Sequence, residues 1–244
     1  MSHAEREKYI LERAPFSPEE NRRIYDKWFR NSPRYLFKAA AERYGLYQKK
    51  ICDVGCSYGM NLIYCNPDSY GIEILPECAD FAKAIGLNVY TRDVVKDSVA
   101  DLPKVDAIWC CAVLEHVDSP HVFMRKISTL LEPGGLVFFW VPTIPPMPWR
   151  LMRYIPRMRK HMVAHTHSDH INAFTPSTLR FMCERAGFEL IEMNAMYPGP
   201  LRFLGRWLFA LDGVMFIGRK KKGPAYSGNS TRIGKAEYFD NHTN

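Results

Sequence analysis

Five short apolar runs, KKICDVG, SYGIEI, LNVYTRD, VDAIWCCAV and GLVFFWVP, follow one another between residues 49 and 142 with helical or turn-forming stretches between them. Strands spaced in this way cannot close as hairpins, so the pattern predicts a parallel sheet with crossover helices. The last two runs lack apolar/polar alternation, as strands covered on both faces do. The segment Pro76–Ile85 is the clearest crossover helix. Beyond Pro142, FELIEMNAMY and GVMFIGRK read as two further strands, which makes seven. TPSTLRFMCERAGF reads as a helix with Thr175 as N-cap, Pro176 at its first position and Gly187 closing it. PLRFLGRWLFAL reads as an amphipathic helix.

Residues before and after this body behave differently. From Pro18 to Tyr44 the apolar residues Ile24, Trp28, Phe29, Tyr35, Leu36 and Ala39 recur at roughly helical spacing, which predicts two short amphipathic helices broken near Asn31–Pro33. The chain therefore divides into an N-terminal helical cover (1–48), a body (49–222) with an insertion at about 143–170, and a flexible tail (223–244). The opening MSHAEREKYI is polar where a secretory signal needs an apolar run, and no apolar stretch is long enough to span a bilayer. Seven cysteines without a CxxC pair read as buried free thiols of a reducing compartment, so the expected location is the cytoplasm and the expected metal content is none.

The turn after the first strand, Asp53-Val54-Gly55-Cys56-Ser57-Tyr58-Gly59, stands where open α/β sheets bind ligands. Twenty residues after Asp53, Glu73 ends the second strand, placed to accept hydrogen bonds from both hydroxyls of a ribose. These positions indicate a nucleoside-containing cofactor. A dinucleotide fingerprint requires glycine at 57 and 60, where this chain has Ser57 and Met60. Asp53 also sets a carboxylate beside the turn, which disfavours a pyrophosphate and favours a cation. S-adenosylmethionine (SAM), with its sulfonium and ammonium, suits such a turn. Taken singly, Asp53 is an ordinary loop residue and Glu73 an ordinary capping carboxylate before Pro76.

In order and spacing, DVGCSYG, GIEI, YTRD, AVLEHV and LEPGGLVFFWVP resemble the successive motifs of class I SAM-dependent methyltransferases over about residues 50–142. HINAFTPSTLRFMCERAGFEL resembles the region such enzymes carry after the fifth strand, and the small-molecule branch that includes the ubiquinone-biosynthesis methyltransferases is the most similar. The resemblance implies a Rossmann-like, seven-stranded, mostly parallel sheet flanked by helices. It implies that Gly55 and Gly59 let the turn pack under the methionine part, with Asp53 orienting the ammonium and Cys56 in the same turn. Glu73 would hold the ribose, Ile74 would cover the adenine, and Asp93 with Val94 would address its edge. The main chain around Cys111 would lie near the sulfonium. Ser57 replaces the usual middle glycine, and the link from Gly59 to Tyr70 is short, leaving room for a helix of a turn or two.

The acceptor side is less defined. An oxygen acceptor usually needs its proton removed, so a nearby base is informative. Glu115-His116 follows the fourth strand at the cofactor edge, which makes His116 a candidate base; a structural histidine is the equal alternative. KHMVAHTHSDH holds His161, His165, His167 and His170, the residue types of a metal site without a fixed geometry. Of these, His170 corresponds to the histidine that precedes the aromatic-Thr-Pro helix start in similar chains and is the candidate lining residue.

Charge bears on the acceptor. Residues 1–142 hold 18 Lys/Arg and 19 Asp/Glu, net −1; the remaining residues hold 15 and 7, net +8, so the chain's +7 belongs to its last two-fifths. Arg150, Arg153, Arg157, Arg159 and Lys160 alternate with Trp149, Leu151, Met152, Tyr154 and Met158 in a basic lid. Such a stretch fits an anionic, partly apolar or lipid-like small-molecule acceptor, or contact with an anionic membrane surface; a solvated loop is the plain alternative. Neither an Asn-Pro-Pro-aromatic run nor a Pro-Cys nucleophile is present, which weakens a nucleic-acid substrate. An RNA-modifying methyltransferase and a non-catalytic scaffold of the same fold remain the rival expectations.

Overall fold

The computed structural model describes residues 2–143, 170–194 and 213–221. Seven strands form one sheet: β1 (Ile51–Val54), β2 (Tyr70–Glu73), β3 (Val89–Thr91), β4 (Val105–Cys111), β5 (Leu131–Val141), β6 (Phe188–Asn194) and β7 (Val214–Lys220). Their order is β3-β2-β1-β4-β5-β7-β6. The pairs among β1 to β5 are parallel, and β7 runs antiparallel to both β5 and β6. The Rossmann-like, seven-stranded, mostly parallel sheet that the resemblance implies is present. Chain order reverses between β1 and β4, so the crevice at their carboxyl ends is the switch point where ligands bind in such sheets.

Six α-helices are described: α1 (His3–Arg13), α2 (Pro18–Ile24), α3 (Tyr35–Tyr44), α4 (Pro76–Ala84), α5 (Pro120–Ser128) and α6 (Pro176–Arg185). α2 runs on as a π-helical turn, Tyr25–Phe29, and the chain breaks before α3 as the sequence predicts. α6 starts as expected, with Thr175 accepting from the Thr178 N–H and Pro176 in the first turn. α1 was not anticipated. Its face is sparsely apolar, with Ile10 as its one buried residue, and it is fixed by a capping box in which Ser2 and Glu5 satisfy each other's backbone N–H.

Alternate residues of β4 face opposite layers. Ile108 and Cys110 join the core under α5 and α6, whereas Ala107 and Trp109 pack with Phe37, Ala40 and Ala41 of α3. A third cluster joins Ile10, Ile24, Tyr25 and Phe29 to Phe81 and Ile85, seating the N-terminal helices on α4. β5 starts at Leu131, earlier than the apolar run that announced it. The link from Gly59 to Tyr70 holds one short 3-10 turn, Leu62–Tyr64, matching its length. No described helix is long and apolar enough to cross a membrane. The amphipathic helix expected at 200–211, the basic lid and the tail lie outside the described residues.

Candidate active site

The first turn is held by Glu73. Ser57 N–H donates to one oxygen of its carboxylate at 2.7 Å and Leu75 N–H to the other at 2.9 Å, and the side chain is buried. Gly55 N–H donates to Ile72 C=O at 2.8 Å, which ties the turn to β2. To fit, the turn takes left-handed backbone at Gly55 (φ 73°), Ser57 (φ 50°) and Gly59 (φ 86°). Only glycine adopts this freely, so Ser57 stores strain where the expected middle glycine is absent. Ala112, just beyond β4, does the same at φ 56°. Both glycines also leave room for neighbouring side chains. A Cβ on Gly55 would stand 2.4 Å from Val113 Cγ2, and one on Gly59 2.3 Å from Leu87 Cδ1.

A cavity of about 360 Å³ opens at the switch point. It is lined by Asp53, Gly55, Cys56, Met60, Asn61, Trp109, Cys111 and Ala112 from the sheet edge and its turns, and by Trp28, Arg34, Tyr35 and Leu36 from the N-terminal segment. Four of the nine cofactor candidates named from sequence therefore line it: Asp53, Gly55, Cys56 and Cys111. Burial and the neighbouring Glu73 charge push the Asp53 carboxyl up to about 7. Among the described residues, no cation offsets that push. Burial raises Cys56 and pushes Cys111 up to about 12, so neither supplies a thiolate at neutral pH. The Cys56 side chain turns toward Gly71 on β2.

Of the other five, Gly59 lies in the first turn, and Glu73, Ile74, Asp93 and Val94 lie at the carboxyl ends of β2 and β3. Ile74 is 57% exposed, an unusual state for isoleucine and one that leaves it free to cover a flat ring. Asp93 is engaged in its own turn. Partial burial raises its carboxyl, but the N–H groups of Val95 and Lys96 and the Lys96 ammonium outweigh this and hold it below the usual range. Val94 points its side chain into the core, so only its main chain is left for the edge role that sequence assigned to the residue.

Sequence marked Trp28 and Tyr35 only as residues at helical spacing, and it did not mark Arg34 or Asn61. Arg34 is pinned by its backbone N–H on Asn61 Oδ1 (3.0 Å) and by its guanidinium on Lys27 C=O (3.1 Å), 5.3 Å from the Trp28 ring centre. The signal available was Arg34 at the very break between the two predicted helices.

His116 and His170 come together. His116 ends a 3-10 turn, Leu114–His116, and its ring meets that of His170 edge to face at 4.7 Å and 77°. The two segments are stitched by Ile171 and Asn172 N–H groups donating to Glu115 C=O (2.9 and 3.0 Å) and by the Asn172 side-chain amide donating to Leu114 and Val117 C=O. Glu115 is 1% exposed; its Oε1 lies 4.0 Å from His116 Nε2, and its Oε2 is buried without a partner. Burial raises its pKa. Glu115, His116 and His170 offer atoms all within 4.8 Å of one another, close enough to share a proton or a cation. Sequence had assigned no metal, and His161, His165 and His167 lie outside the described residues.

Comparison with known proteins follows the same lines. Residues 4–193 match the family described as a methyltransferase domain. The ubiquinone biosynthesis O-methyltransferase of Aeromonas salmonicida (strain A449) is 28% identical over 166 residues, spanning 64% of this chain and 70% of that one. That of Cupriavidus pinatubonensis is 30% identical over 172 residues, spanning 64% and 67%. A SAM-dependent methyltransferase from Archaeoglobus fulgidus superposes with a TM-score of 0.55 at 19% identity, covering 81% of this chain and 98% of that one. A Haloferax volcanii methyltransferase complex with the Trm112 activator gives 0.58 at 16%, covering 84% and 95%. At such identities these structures speak for the fold alone. The family match over most of the chain decides the rest: this protein belongs to the methyltransferase domain family, as a SAM-dependent enzyme.

Proposed function

We propose that the protein moves the methyl group of SAM to an oxygen of a small, partly apolar acceptor bound beside His116 and His170. Asp53 carries the donor half of this reading. A carboxyl buried without a cation is costly when ionised, and a sulfonium or ammonium in the cavity supplies the missing charge. Arg34, which lines the same cavity, suits the donor's carboxylate. Glu73 suits the ribose, since both its oxygens are already aimed by backbone donors and each keeps a lone pair. Ile74 and the Asp93–Val94 main chain take the adenine side. The bound donor supplies an electrophilic methyl carbon.

The acceptor half rests on the histidine pair. Two imidazoles in contact beyond the end of β4 are suited to taking a hydroxyl proton, which an oxygen acceptor requires and many carbon acceptors do not. The relatives named as O-methyltransferases support the same choice. The basic run Arg150–Lys160 is assigned to an anionic group of the acceptor, met in solution or at an anionic bilayer; flotation with vesicles containing phosphatidylglycerol tests the second source.

The experiment is to incubate the protein with methyl-labelled SAM and 3,4-dihydroxybenzoate, a primary amine or bulk RNA in parallel. Label in the methoxy product supports the proposal. Label confined to RNA installs the RNA-modifying alternative, and tight SAM binding without product in any arm, or in a fractionated lysate, installs the scaffold.

A further inference from the structure

We propose that Glu115 is the positioning acid of the transfer step, using its backbone to place His170 and its carboxylate to hold the charge that His116 acquires. This deepens the oxygen-transfer reading and rests on it.

Three observations meet at this residue. Its carbonyl accepts from both Ile171 and Asn172 N–H, which sets the segment carrying His170 against the turn carrying His116. Its carboxyl oxygen Oε1 stands 4.0 Å from His116 Nε2, close for charge and long for a hydrogen bond. Its other oxygen is buried with no donor, although the nearby carbonyls of Leu114 and Val117 are satisfied by Asn172. A buried carboxylate with one oxygen left without a donor and its own backbone N–H as the local support is under-stabilised while the imidazole beside it is neutral. It becomes paired when that imidazole becomes a cation. The arrangement therefore favours the state reached in the reaction over the state before it, which is the condition for catalysis. The long separation is ordinary for a catalytic contact without ligand.

The step balances as follows. The acceptor O–H bond breaks and its proton passes to the His116 imidazole. The freed oxygen pair forms the O–C bond to the methyl carbon. The S–C bond breaks with its electrons kept on sulfur, so the sulfonium becomes a neutral thioether. The proton leaves later from the imidazolium, whose side chain is 43% exposed, to solvent. Glu115 gains and loses no bond; it faces His116, and His170 meets the same ring from the other segment.

The test compares wild type with Glu115→Gln and Glu115→Asp, using SAM and 3,4-dihydroxybenzoate. Glu115→Gln keeps the backbone carbonyl and the shape but not the charge. It is expected to lower kcat on the order of 100-fold with the acceptor KM and the SAM affinity unchanged, and Glu115→Asp is expected to recover much of that loss. A rise in KM with kcat intact overturns the proposal. So does a wild-type rate that a chelator abolishes and Mg²⁺ or Zn²⁺ restores, since Glu115 would then be a metal ligand. A second measurement needs no acceptor: carbethoxylation of His116 by diethyl pyrocarbonate at pH 6.5, followed by peptide mapping. The reagent attacks the neutral ring, so Glu115→Gln should be modified faster than wild type. Equal rates overturn the role of Glu115 even where another acceptor is the true one. Absence of the methoxy product together with faster modification counts against the acceptor and leaves the Glu115–His116 coupling supported.

Discussion

Replacing Asp53 by asparagine should make the SAM-free protein more stable at pH 8, and the size of the gain follows from the structure. The Asp53 carboxyl stands at about 7 in the folded chain against 3.8 for an ordinary aspartate, a difference of about 3 units. At about 1.4 kcal/mol per unit, this corresponds to about 4 kcal/mol. The sign runs against stability: between those two values the unfolded chain ionises while the folded one stays protonated, so each unit of rising pH favours the unfolded state. The penalty is therefore nearly absent at pH 4, about 2 kcal/mol at pH 5 and about 4 kcal/mol above pH 7. Asp53→Asn removes it. Urea unfolding of both proteins at pH 5 and pH 8 without SAM should show a difference between them that grows with pH. Calorimetric titration should show the reverse for the ligand. SAM affinity of the wild type rises from pH 5 to pH 8 as Asp53 ionises, and Asp53→Asn loses on the order of 10- to 100-fold at pH 8. Parallel pH dependences of stability in the two proteins, or equal SAM affinities, would refute the argument that this acid waits for a cation.

Three further substitutions probe the scaffold. Gly55→Ala drives a methyl into Val113 and keeps a left-handed φ, so it should cost about 1–3 kcal/mol; adding Val113→Ala should recover the clash but not the backbone part, read from urea midpoints of the double-mutant cycle. Trp109→Ala empties a site between Phe37 (5.2 Å) and Phe138 (5.8 Å) and should cost about 3–5 kcal/mol, seen as a lowered thermal midpoint. Thr175→Ala removes the cap of α6 for about 1 kcal/mol, whereas Thr175→Ser should be neutral in the same unfolding assay.

The sheet was legible because its strands are buried on both faces and leave unbroken apolar runs, and because proline and threonine mark the start of α6. α1 was not, since Ile10 is its one buried residue and periodicity needs more than one; the Ser2 and Glu5 spacing was its only local trace. In the site, Asp53 and Glu73 were visible as acids at strand ends, a position that spacing reveals. Arg34 and Trp28 were not, because nothing local brings a residue of the N-terminal helices onto the sheet edge; the packing of Phe29 and Ile24 against α4 does. Val94 shows a different limit: the resemblance named the residue, and only the folded chain shows that its side chain is buried in the core while its main chain stands beside Asp93. Glu115 looked like part of a dipeptide with His116. Its burial, which gives it its chemistry, is a property of the folded chain.

The parallel bridge between Thr143 and Phe174, with Ile171 and Asn172 fastened to Glu115, brings the chain back to the place it left. The two ends of the intervening stretch are thus fixed by contacts that do not involve its own residues. Closing a longer loop between such fixed ends adds only about 0.6 kcal/mol per doubling of length. Closure between these anchors therefore sets only a weak limit on the length of the chain that joins them. A lineage could exchange that stretch to suit a new acceptor while the methyl donor's turn, the cavity and the histidine pair stay in register.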